Sequence, residues 1–231
     1  MMHAESLMKA NQVTHRLSFH RIIAPLAVAA LSLTAACGDD DPEVEMEDDG
    51  PEVFTTLELT FSPDGGTAGE NVVVTFQDDD ADGVGSGVIT PEMIMLAAQT
   101  SYTLSFRVAN TTLPVGEQDD IQQEIMDEQD GHQFFVFGPM VNGPATDNPT
   151  APITHTYADM DSNDLPIGFV NDIQTGAAAP AGDFTVLLRH LPPVDGTVQK
   201  LPDLEGTLRT GGIEALPGQT DIIVTYNIGV E

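Results

Sequence analysis

From Phe54 onward the chain runs in short stretches whose apolar residues fall at every second position, each closed by Gly, Pro, Asn or Asp. That period belongs to strands with one face on a core, and it limits the fold more than any other feature of the sequence. Leu57, Leu59 and Phe61 share one face of the first stretch, which Pro63-Asp64-Gly65-Gly66 ends. Val72, Val74 and Phe76 mark a second, and Tyr102, Leu104, Phe106 and Val108 a third, with Arg107 outward. Five more follow at 132–137, 153–157, 167–173, 184–191 and 222–230. About eight strands without alternating helices predict an all-β, Ig-like antiparallel sandwich over residues 54–231.

One segment departs from this pattern. Residues 117–130 contain no Gly or Pro, open with acidic side chains and stop before Gly131, which predicts a single inserted helix over about 118–130. At about 100° per residue, Ile121, Ile125, Glu128 and, at the edge, Glu124 share a face. Two carboxylates therefore fall on the stripe that should pack on the sheet, where they call for a cation or a hydrogen-bond donor.

Ahead of the domain lie an address and a tether. Arg16 and Arg21 lead into the apolar run 22–36, which is short for a membrane-spanning helix and is interrupted by Pro25. A positive flank, a short apolar run and small residues before a cut make an export signal. Thr34-Ala35-Ala36-Cys37 resembles a bacterial lipobox, with Thr34 standing where the pattern usually has Leu. The resemblance implies a signal peptide over 1–36 and a lipid on Cys37, the only Cys of the chain. Residues 37–53, acidic and carrying two prolines, are expected to form an extended, disordered tether. The expected location is the bacterial cell envelope, with the lipid in a membrane, the outer one by preference.

Charge excludes whole classes of function. Residues 37–231 hold 4 of the 7 basic and 36 of the 37 acidic side chains, a net of −32. Nucleic acid is ruled out, because phosphate binding needs clustered Lys and Arg. Such a surface attracts cations, though solubility in a salty milieu accounts for it equally. A lone Cys excludes disulfide frameworks and Cys-rich zinc motifs. No Gly-x-Ser-x-Gly elbow, phosphate-cradling loop or His-Glu-x-x-His helix is present, so a non-enzymatic protein without an organic cofactor is expected.

Two places can carry metal chemistry. His132 shares a strand face with Phe134 and Val136, and His190 with Phe184, Val186 and Leu188. If those strands meet beside the helix, Glu124, Glu128, His132 and His190 make a carboxylate–imidazole set suited to Zn²⁺. The same residues are accounted for without metal if Glu128 hydrogen-bonds a core His. In the loop 78–87, Asp78, Asp80 and Asp82 alternate ahead of Gly83, like the opening of a Ca²⁺ loop. The later bidentate Glu of an EF-hand is missing, so a structural Ca²⁺ site and a solvated turn both fit. Residues 159–164 form a similar loop that reads as a hairpin turn.

The stretches 76–87, 100–110, 128–135, 187–190 and 220–226, with the acidic helix, together resemble a family of uncharacterised bacterial β-rich lipoproteins. Members are sometimes labelled as type 1 periplasmic-binding folds, but such folds need alternating β–α units, which this chain lacks. The resemblance implies a companion of outer-membrane, TonB-dependent receptors or another envelope protein, and a role in cargo or metal capture. Two functions are therefore expected to compete. One is a lipid-anchored binding protein that captures a divalent metal for an uptake system. The other is a structural or adhesive sandwich, steadied by Ca²⁺, that binds a protein or glycan.

Overall fold

A computed structural model describes residues 53–66, 69–78 and 87–231. Its strands, in chain order, are β1 (Thr56–Pro63), β2 (Val72–Gln77), β3 (Val88–Thr90), β4 (Ile94–Leu96), β5 (Ser101–Ala109), β6 (His132–Phe137), β7 (Val141–Asn142), β8 (Ile153–Tyr157), β9 (Val170–Thr175), β10 (Ala179–His190) and β11 (Gln219–Val230). Two helices interrupt them, α1 (Asp120–Asp127) and α2 (Leu204–Gly211). The strands form a seven-stranded sheet, β3-β2-β1-β5-β9-β8-β7, and a four-stranded sheet, β4-β11-β10-β6. The chain is an all-β sandwich with a short inserted helix, as the alternation predicts.

The core lies between the sheets. Leu57, Leu59 and Phe61 of β1 are fully buried, as are Phe134 and Val136 of β6 and Val186 and Leu188 of β10. Edge-on aromatic contacts join the layers, with Phe61 against Phe184 at 6.2 Å and Phe134 against Phe169 at 5.0 Å. Each such ring pair adds about 0.5–1.5 kcal/mol beyond area burial.

Three findings go beyond the sequence reading. The short strands β4 and β7 pair in parallel, β4 on β11 and β7 on β8, and strands of two or three residues are too short to show a period. Helix α2 covers the outer face of the four-stranded sheet, where Leu204, Leu208, Leu187 and Phe135 form a second apolar cluster. Strands β6 and β10 are thus buried on both faces. Finally, α1 is shorter than 118–130: it ends at Asp127, and residues 129–131 continue as one 3₁₀ turn.

Candidate metal centre

His132 opens β6 and His190 closes β10, and the register sets them directly opposite each other. Opposed residues of an antiparallel pair project from the same face. Their rings stack with centroids 4.5 Å apart and planes 11° from parallel. Alternation from Phe134 and Leu188 puts both imidazoles on the core side, at the end of the sandwich; His132 is fully buried and His190 partly so.

The local backbone selects the tautomer of His132. Its Nδ1 lies 3.1 Å from the carbonyl oxygen of Glu128. A carbonyl only accepts, so Nδ1 carries the proton and Nε2 keeps the lone pair that a metal uses. A backbone carbonyl behind a ligating imidazole is the usual second partner that orients it. The turn that presents this carbonyl is braced from below. Leu191 donates its N–H to the Gly131 carbonyl at 2.6 Å, and Lys200 donates Nζ to the Gln129 carbonyl at 2.8 Å. Lys200 also pairs with Asp161 at 2.7 Å, both side chains being excluded from solvent.

Asp221 completes the cluster because β11 carries a bulge. Leu188 pairs with Ile222 and the next residue, Arg189, with Thr220, so Asp221 is the extra residue between two paired ones. Regular alternation would send Asp221 to the face opposite Ile222, away from the histidines. A one-residue bulge re-aims a side chain in this way. Arg189 holds the approach to the bulge, donating to the carbonyls of Leu216, Pro217 and Gly218 and to Thr220 Oγ1. Gly218 has φ +74°, and a Cβ there would collide with the His190 carbonyl oxygen. Only glycine lets the chain pass that close.

Ligand atoms of His132, His190 and Asp221 all lie within 4.8 Å of one another. Donors on a tetrahedral Zn²⁺ sit about 3.3 Å apart, given metal–ligand bonds of about 2.0–2.1 Å. A bound ion would draw the donors closer, and His190 and Asp221 are the partly exposed members of the group. Two imidazoles and one carboxylate are a donor set for Zn²⁺ and other imidazole-favouring divalent ions, and a poor one for Ca²⁺, which takes oxygen.

The expected glutamates do not join this group. Helix α1 buries Ile121 and Ile125, but it ends before Glu128, whose φ of −104° and ψ of 28° carry it off the helical stripe. The Glu128 side chain is exposed, and it is the residue's backbone carbonyl that meets His132. Glu124 and Glu128 instead line a shallow surface hollow with Asp120, Gln123 and Asp127. The alternative of a Glu128 hydrogen bond to a core His is thus met by main chain, with the carboxylate elsewhere. Asp221 escaped the sequence reading because alternation assigns it to the wrong face. Its one signal is an acidic residue abutting an apolar run just after the Pro217-Gly218 turn.

Of the other expected positions, those among the described residues lie apart from this cluster. Asp78 is buried, with its N–H on the Thr55 carbonyl at 2.8 Å, while Asp80, Asp82 and Cys37 lie outside the described residues. Two carboxylates of the loop 159–164 are taken up by main-chain donors and by Lys200. Asp159 accepts from the N–H groups of Gly168 and Val170, and Asp161 from those of Asn163 and Leu165 as well as Lys200. Burial opposes ionisation of Asp161, but these donors outweigh it and hold the carboxyl below its ordinary range. His155 gives Nε2 to Asn171 Oδ1 at 2.9 Å, since the amide nitrogen of Asn171 is occupied by the Gly168 carbonyl.

Comparison with known proteins adds no relative: no family model, curated protein or solved structure matches the chain. Among the described residues, no helix is long and apolar enough to cross a membrane.

Proposed function

We propose that this chain is a lipid-anchored, non-enzymatic binding protein of the bacterial cell envelope. Its cargo is a divalent metal ion, zinc foremost, held by His132, His190 and Asp221 for an outer-membrane uptake system. One observation carries the metal reading: three donors from three adjacent strands converge within 4.8 Å. The tautomer of His132 supports it, because the Glu128 carbonyl leaves Nε2 as the donor atom. So does the charge, since an excess of carboxylates raises the local concentration of cations around the domain. The anchor rests on the apolar run 22–36 and Cys37.

Calorimetric titration of the metal-free protein with ZnCl₂, beside the His132→Ala/His190→Ala variant, tests the capture. One-to-one binding is expected in the parent and none at that site in the variant. A parent that shows no one-to-one binding overturns the metal reading, and a structural or adhesive sandwich takes its place. The anchor is tested by labelling cells with a radioactive fatty acid, where Cys37→Ser should lose the label.

A further inference from the structure

Structural zinc sites are closed by four protein ligands, whereas sites that exchange or react keep three and leave a position to solvent. The present cluster is of the second kind in number and in placement. Among the described residues, His132, His190 and Asp221 are the His, Cys, Asp or Glu side chains that come together within ligand distance. They lie on one sheet, on the neighbouring strands β11, β10 and β6. Two residues further along β6, Phe134 packs against Phe106 and Phe169, so the core beside the site on that side is aromatic. Burial is graded across the cluster: His132 is sealed at the base, while His190 and Asp221 are partly exposed at the rim. A divalent ion bound there with Asp221 carries a net charge of +1 in its first shell, and among the described residues the partly exposed His190–Asp221 edge is the side from which a further ligand can approach.

Resting on the metal reading above, we propose that the His132–His190–Asp221 site leaves one coordination position to an exchangeable ligand and releases its ion by associative exchange. A donor from the recipient adds to the ion first, and a rim ligand, His190 or Asp221, leaves afterwards. The recipient's donor is an anionic or imidazole group, the chemistry that complements a cationic first shell. The ion stays divalent throughout, no electron moves, and the departing side chain regains its lone pair. His132, buried and fixed by the Glu128 carbonyl, lets go last.

The position for a fourth protein ligand is identifiable. Gln219 is the cross-strand partner of His190, so it projects from the same face, and it is exposed. Gln219→His supplies an imidazole at the rim and closes the shell.

The test is stopped-flow release of Zn²⁺ from the loaded protein to a chromophoric chelator at rising chelator concentration. Associative exchange makes the observed rate climb in proportion to chelator in the parent. Gln219→His should lose that proportionality and release more slowly. A parent rate independent of chelator overturns the open position while leaving metal capture intact. So does a stoichiometry of two chains per ion, which would mean that a second copy fills the shell. Failure of the metal reading itself looks different: the protein then never loads, and no release trace is obtained.

Discussion

The Arg189 guanidinium reaches three consecutive backbone carbonyls and a threonine hydroxyl, all between residues 216 and 220. Burial pulls this guanidinium below its ordinary range, and the fields of Asp221 and Glu214 push back. The side chain is thus a splint for the segment that delivers Asp221, and its geometry matters more than its charge. Lys carries the charge but cannot fork. Arg189→Lys and Arg189→Met should therefore behave alike, each weakening Zn²⁺ binding by about 10–100-fold in calorimetry. Each should also lower unfolding free energy by roughly 2–4 kcal/mol in urea, because buried carbonyls lose their donors. His155 supports a second residue-scale prediction. Burial lowers its pKa from 6.5 to about 4, against the weaker contrary effects of Asn171 and Asp172. A depressed folded-state pKa means that the unfolded chain binds the proton first as pH falls. The stability this gives is complete above pH 6.5 and is lost as pH drops toward about 4. Urea unfolding should register about 3 kcal/mol of loss across that window, and His155→Phe should flatten the profile.

At the scale of elements, the question is what holds the 3₁₀ turn 129–131 and the loop 159–165 together beneath His132. Lys200 does so, lying within the field of Asp161, Asp130 and Asp159 and donating to the Gln129 carbonyl. Removing one partner of a buried ion pair leaves an uncompensated charge, so Lys200→Met should cost about 3–5 kcal/mol in urea unfolding. Adding Asp161→Asn should recover most of that loss. The amide oxygen can still accept from Asn163 and Leu165, and the neutral side chain leaves no unpaired buried charge. If the double variant is no more stable than the single one, Lys200 acts through packing and not through the pair. Gly218→Ala probes the other approach to the site. A positive φ and the contact with the His190 carbonyl should together cost roughly 1–3 kcal/mol and displace β11 at the bulge. These elements also mark how far the sequence can be read. Alternation exposes β1 and β5, because half-buried strands must alternate, whereas β6 and β10, buried on both faces, show as short apolar runs; the facing histidines follow once those strands pair. The bulge at Asp221 leaves no periodic trace, since it breaks the very period being read. The glutamates misled for a related reason: a helical stripe extends only as far as the helix, and α1 stops one residue short of Glu128.

For the whole molecule, the decisive quantity is a net charge of −32 on residues 37–231, which binds cations weakly everywhere and complicates any claim for a single site. Salt separates the two effects. At about 10 mM ionic strength the screening length is about 30 Å, so carboxylates across the domain act together on an approaching Zn²⁺. At about 1 M it falls to about 3 Å, and only donors in direct contact with the ion still hold it. A titration at low salt should therefore show one-to-one binding followed by a weaker, open-ended phase. The His132→Ala/His190→Ala variant should retain the weak phase and lose the first. At high salt the weak phase should vanish from both proteins, while the parent keeps its stoichiometric site with a slower association rate, because steering is lost before coordination is. Were the one-to-one phase to fade with salt along with the weak one, binding would belong to the field of the surface. The cluster of His132, His190 and Asp221 would then be a core hydrogen-bonded group that closes the end of the sandwich. Survival of that phase at high salt assigns it to bonds, and the acidic surface becomes the means by which a dilute ion reaches them.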